Sequence, residues 1–147
     1  MDEVGREKIV RQRLGECLLA TEALLLLTIF RILLVVAPVR WILRMTTRGI
    51  STVAQESLEE RDEAIALRVR WAVEAAVRHS RAKFVCFPQT LTGYTMLRQR
   101  GVQSTMVYGV ARSAAGELIA HTWLTVGEKA VLGGKGAGEF TPVERWR

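Results

Sequence analysis

Residues 83–101 read KFVCFPQTLTGYTMLRQRG, and the fold turns on this stretch. Pro88 suits the first turn of a helix, where its missing N–H costs nothing, and Gly101 suits the position just past a helix end. The spacing predicts a helix over about 87–100 with Cys86 at its start. A cysteine there meets the positive end of the helix dipole and unpaired backbone N–H groups, which favour thiolate and supply the donors of an oxyanion hole. Along this helix Cys86, Thr90 and Gly93 recur at i, i+4 and i+7 as a narrow face of small residues, while Phe87, Leu91 and Tyr94 form a bulky one. The small face would let a sheet come close to the cysteine.

A small antiparallel sheet is expected directly afterwards. Residues 102–111 (VQSTMVYGVA) read as a strand, SAAG as a turn and residues 117–126 (ELIAHTWLTV) as a second strand. Gly127-Glu128 then makes a tight turn into KAVLGG. The tail KGAGEFTPVERWR reads as glycine-rich and then irregular. His121, one of only two histidines, stands in the second strand. Taken alone, Cys86 reads as an inert buried thiol and His121 as a satisfied core histidine. Together, in the order cysteine, helix, strand, strand with histidine, they fit a thiol hydrolase or acyltransferase.

The 147 residues suffice for one domain with a core of its own. Two cysteines cannot build a disulfide framework, and the opening MDEVGREK has no signal-peptide pattern, so the expectation is a reduced, cytoplasmic protein. The net charge of +6 is spread along the chain without a basic block, which argues against nucleic-acid binding. No cysteine and histidine spacing suits a metal, and GGKGAG lacks the context of a phosphate loop, so neither metal nor cofactor is expected.

Residues 17–43 form the most hydrophobic stretch. Glu22 and Arg31 interrupt it and Pro38 closes or kinks it, which favours a mostly buried helix, or one lying against a partner or membrane surface, over a spanning one. Cys17 at its head reads as packing. Residues 3–13 fray or extend this helix, and a shorter helix over about 39–50 carries Arg40, Arg44 and Arg48 on one face. Ser57 and Glu60 have capping-box spacing for a third helix, in which Ile65, Val69, Val73, Ala76 and Val77 share a core face. His79 at its end reads as a surface residue that compensates the dipole.

The block CFPQTLTGYTMLRQRGVQSTMVYGV followed by AHTWLTV resembles the lasso peptide maturation proteases, the leader-removing B proteins of the transglutaminase-like cysteine protease superfamily. A CLPQ-like motif begins that family's nucleophile helix, an MLR-x-RG-like segment ends it, and an HAW-like motif bears the base. The matching positions are Cys86, Phe87, Pro88 and Gln89, then Met96, Leu97, Arg98, Arg100 and Gly101, and finally His121, Thr122 and Trp123. The Leu-rich opening ending in APVRWILR is also similar to the family's amino-terminal region.

The resemblance implies an α+β, papain-like or transglutaminase-like domain over 1–147, with a helical region (1–57) as a candidate docking surface and a catalytic core (58–147). It implies that Cys86 is the nucleophile and His121 the base, with Gln89 a candidate for substrate or oxyanion positioning. The implied reaction removes the leader of a ribosomally made precursor peptide through a thioester. The implied partners are that precursor, a small leader-recognition protein and a separate ATP-dependent cyclase. The alternatives are a non-catalytic subunit that holds the precursor on the same fold, and a protein whose 17–43 helix contacts a membrane surface.

The family's third residue, an aspartate about a dozen positions after the histidine, is missing: no aspartate follows Asp62. If Val126 pairs with Lys129, His121 falls opposite Gly134, and LGG occupies the orienter position. Glu139, a backbone carbonyl or water would then hold the ring. On that register Gly134→Asp is expected to leave activity unchanged or raise it.

Overall fold

The computed structural model describes residues 3–47, 60–80 and 85–147. In chain order they form α1 (Glu3–Val36), α2 (Val39–Thr47), α3 (Glu60–His79), α4 (Cys86–Gln99), β1 (Thr105–Arg112), β2 (Leu118–Val126), β3 (Lys129–Leu132), the 3-10 turn Ala137–Glu139 and β4 (Thr141–Trp146). The architecture is the expected α+β one. Helix α4 packs on α1 and α3 on one side and on the antiparallel sheet, ordered β3-β2-β1-β4, on the other.

Local chemistry sets the ends of α4. Val85 is extended at its N-cap, and no side chain caps the first turn. At the far end Gly101 takes φ +74°, a conformation that costs glycine little. The Val102 N–H then reaches Leu97 O and the Gly101 N–H reaches Arg98 O, a Schellman closure with Val102 buried behind it.

The hydrophobic amino-terminal stretch is two helices, as Pro38 leads the sequence to be read. Helix α1 begins at Glu3 and stops at Val36, and the chain turns at Ala37 and Pro38 before α2 starts. Proline cannot donate within a helix and restricts the residue before it, which accounts for the break. The helix is also less buried than its composition suggests. Ala23, Leu27 and Phe30 are in the core, whereas Leu18, Leu25, Ile29 and Ile32 are exposed, as is Cys17. A bidentate pair joins Glu22 of α1 to Arg100 at the end of α4, with Nη1 donating to Oε1 (3.1 Å) and Nη2 to Oε2 (2.6 Å).

Helix α3 buries Ala66, Val69, Ala72, Val73, Ala75 and Ala76, so Ile65 and Val77 lie at the margin of the expected face. His79 is exposed and its Nδ1–H donates to Ala75 O, a surface role as read from the sequence. Ser57 and Arg48, invoked as a capping residue and as part of a basic face, lie outside the described residues.

Two expectations about the sheet are corrected. The tail is not irregular: residues 141–146 form β4, an edge strand paired with β1, in which Pro142 faces Gly109 at a register shift. Proline is tolerated in such edge positions because its missing N–H leaves no ladder bond unmade. Second, β3 carries a bulge. Val126 pairs with Lys129 and Thr125 with Ala130, but Leu124 pairs with Leu132, which leaves Val131 as the extra residue. The unbroken ladder that would set His121 opposite Gly134 therefore does not form: β3 ends at Leu132, and it is the carbonyl of Gly133 that reaches the His121 ring. A Cβ on Gly134 would lie 2.6 Å from Ala130 Cβ, so Gly134→Asp is a strained substitution and not the neutral one expected above.

The sheet approaches α4 most closely at Gly93, where a Cβ would lie 2.3 Å from Leu132 Cδ1 and 3.0 Å from Leu124 Cδ2. Both leucines are buried and leave little room to yield. Gly93→Val should therefore lower stability by about 1–3 kcal/mol in urea titration, the usual range for overpacking. Behind it, Tyr94 is buried with no hydrogen-bond partner for its hydroxyl among the described residues. Burial pushes the phenol above its ordinary value, against a smaller opposing pull from Arg98. The folded state thus holds the proton more tightly than the unfolded chain, and stability present below the unfolded value is lost as pH rises above it. Tyr94→Phe should cost little at neutral pH and should flatten that alkaline decline in thermal melts.

Candidate functional site

Cys86 is the first residue of α4 and is partly exposed. Its carbonyl accepts a bond from Thr90 Oγ1 (2.9 Å), and the same hydroxyl meets Thr122 Oγ1 (3.2 Å) and lies 3.4 Å from Thr122 O. Thr90 is thus a buried link between the first turn of α4 and the middle of β2. Gly93 sits over Leu124 one turn further on, so helix and strand run in the same sense. Cys86 lies four residues, about 6 Å, before Thr90, or nearly two strand residues, which brings it to the level of Ala120 and His121 along β2. The small face read from the sequence is the face that meets the sheet.

Alternation decides where His121 points. Thr122 and Leu124 face α4, so His121 and Trp123 project from the opposite side of the sheet. There the His121 ring lies against Trp123 (centroids 6.2 Å apart) and Phe140 (5.2 Å). Gly109, paired with His121 across β1, leaves the space that Trp123 fills: a Cβ there would lie 2.8 Å from the indole ring. No hydrogen bond joins Cys86 to His121. The two residues share a level of the fold and the open stretch of β2 past the end of β3, but their side chains start from different faces.

The histidine ring is nonetheless held. His121 Nε2 lies 2.7 Å from Gly133 O. A carbonyl oxygen only accepts, so Nε2 carries the proton, and in the neutral ring Nδ1 has the free lone pair. Gly133 stands twelve residues after His121, where the resemblance expects an aspartate, and its main chain does the holding. Gly133 has φ +66°, and a Cβ on it would lie 2.6 Å from Thr122 O, so glycine is required at this point. Glu139, a candidate orienter, lies in the 3-10 turn and makes no hydrogen bond to His121. Its neighbour Phe140 touches the ring instead. Gln89 is half-buried in the first turn of α4, three residues after Cys86.

Sequence reasoning missed Phe140, and it named a backbone carbonyl among the groups that could hold the ring without assigning it to Gly133. The single available signal for Gly133 was the glycine pair at the expected orienter position. Nitrogen-15 NMR should find His121 as the Nε2–H tautomer at a pH where the ring is neutral. Gly133→Ala should disturb that signature and lower stability by roughly 1–2 kcal/mol, the cost of a Cβ in the left-handed region.

A family model described as the transglutaminase-like superfamily matches residues 29–145. No curated protein and no solved structure matches the chain. The match covers the last two turns of α1 and every later element up to β4, including α4 with Cys86, β2 with His121 and the loop that carries Gly133. The chain belongs to the transglutaminase-like superfamily.

Proposed function

We propose that the chain is a cysteine peptidase that removes the leader from a lasso-type precursor peptide, with Cys86 as nucleophile and His121 as base. The superfamily includes cysteine peptidases. The narrower assignment rests on the ordered motifs CFPQ, MLRQRG and HTW. The observation that carries the catalytic reading is the pairing of a helix-start cysteine with a histidine whose resting bond from Nε2 to Gly133 O leaves Nδ1 as its basic nitrogen.

In this reading His121 Nδ1 takes the thiol proton of Cys86, and the sulfur attacks the carbonyl carbon of the scissile peptide bond. The uncapped N–H groups of the first turn of α4, with Gln89 beside them, offer donors to the resulting oxyanion. Collapse breaks the C–N bond, and the leaving amine takes the proton from His121, which leaves a thioester on Cys86. Water, losing its proton to His121, then attacks the thioester, and the acid departs as the thiol re-forms. Because His121 and Cys86 start from different faces, the mechanism requires the resting bond from Nε2 to Gly133 O to open and the ring to turn toward Cys86 past the open edge of β2 when substrate binds. With a ring that must leave its resting partner and no carboxylate to offset the imidazolium charge, the reading predicts a slow enzyme.

A second reading has its own observation. Cys86 and His121 make no hydrogen bond, and a glycine stands where a carboxylate is expected, which is what a non-catalytic subunit that holds the precursor would also show. The proposed partners are common to both readings: the precursor's leader, a small leader-recognition protein and an ATP-dependent cyclase.

Mass spectrometry separates the two. A lasso-type precursor incubated with its leader-recognition protein and this chain should yield one leader cleavage, and Cys86→Ala and His121→Ala should each slow it by on the order of 10³-fold or more. No cleavage by a folded wild-type chain that still binds the precursor would assign it to the second reading.

A further inference from the structure

Helix α1 has two apolar faces, and the fold uses one. Ala23, Leu27 and Phe30 are buried against the rest of the domain. On the other side Leu14, Leu18, Leu25, Ile29, Ile32 and Val36 follow one another at steps of three, four or seven residues, a continuous stripe down the helix. They are well exposed: 71% for Leu18, 60% for Leu25 and 58% for Ile32. Thr21 and Thr28, also exposed, turn their hydroxyls back onto Cys17 O and Leu24 O, both at 2.8 Å. The donor hydrogens of both hydroxyls are therefore already used within the helix. Glu22, at the edge of the stripe, is neutralised by Arg100.

After the turn at Ala37 and Pro38, α2 buries Ile42 and Leu43 and leaves Val39, Arg40, Trp41 and Arg44 exposed. At the α2 end this surface exposes Arg40 and Arg44. A symmetric pair of chains joined about that end would set these arginines against each other. An anionic lipid surface supplies the opposite charge, an apolar layer for the leucines and isoleucines, and the boundary that tryptophan favours.

Length and composition alone would also let residues 6–36 cross a membrane. Crossing would expose the core face of α1 and break the Glu22–Arg100 pair, whereas lying on the surface leaves both intact. We propose that the outer face of α1, together with Trp41, Arg40 and Arg44, is a docking surface for an anionic membrane, on which the folded chain lies peripherally.

Flotation of the full chain with vesicles of equal parts phosphatidylcholine and phosphatidylglycerol tests this, with pure phosphatidylcholine vesicles as reference. The wild type should float with the anionic vesicles, and more weakly as salt is raised. Leu25→Glu combined with Ile32→Glu should reduce the bound fraction on the order of tenfold or more at low salt. Arg40→Glu with Arg44→Glu should remove the preference for anionic lipid. All four positions are exposed, and circular dichroism confirms that the variants remain folded. A wild type that does not float with anionic vesicles, or a Leu25→Glu, Ile32→Glu chain that floats as well as the wild type, overturns the proposal. Light scattering that shows a lipid-free dimer, lost in that double variant, with no flotation, would give the face to a second copy.

Discussion

The approach of α4 to β2 is the constraint on which the rest of the structure depends. At Gly93 the helix leaves no room for even a methyl group between itself and the side chains of Leu124 and Leu132. One turn earlier, Thr90 and Thr122 meet as a hydroxyl pair and fix how far along the strand the helix sits. Contact and hydroxyl pair together set the height of Cys86 beside the sheet. The position of the cysteine is therefore inherited from core packing and owes nothing to a flexible loop, the kind of support a precise site requires.

A second consequence concerns α1. The superfamily match begins at residue 29, partway along this helix, yet the part before it is tied into the domain: Ala23 and Leu27 are in the core, and Glu22 clamps Arg100 just after α4. The pair is only partly buried, at 28% and 32% side-chain exposure, and a contact of that kind is worth more for fixing geometry than for stability. It holds α1 across the end of the helix that bears Cys86. Whatever the outer face of α1 touches is thereby connected to the far end of α4 through one rigid helix.

How much could be read in advance follows from how local each signal was. Cys86, Pro88 and Gly101 set the start and end of α4 through capping chemistry within a few residues, and the helix came within one residue of the expected span. The Gly127-Glu128 turn was equally local. Strand β4 escaped notice because a pairing partner about thirty to forty residues away makes it a strand, while its own sequence offers Pro142 and exposed polar residues after a glycine-rich run. The bulge at Val131 is likewise a property of two strands packed on Leu124 and Leu132, with no mark in the sequence of either. Hydrophobicity announced α1 but could not say that half of it faces outward, because composition carries no information about which face finds a partner. The side of the sheet from which His121 projects was legible in principle: once Leu124 and Thr122 are assigned to α4, alternation does the rest.

The grip on the histidine has a further meaning for variation in this chain. An aspartate orienter can be lost to one substitution at its own position and fails in acid once its carboxylate takes up a proton. A main-chain oxygen has neither weakness, since every residue type carries one and it does not titrate in the range where proteins fold. What can be lost is the path of the loop that presents it, and that path depends on the glycine at position 133 and on the extra residue in β3. The sensitive points for the histidine's orientation therefore lie in backbone shape, spread over Ala130 to Gly134, and not in any side chain that touches the ring's nitrogen.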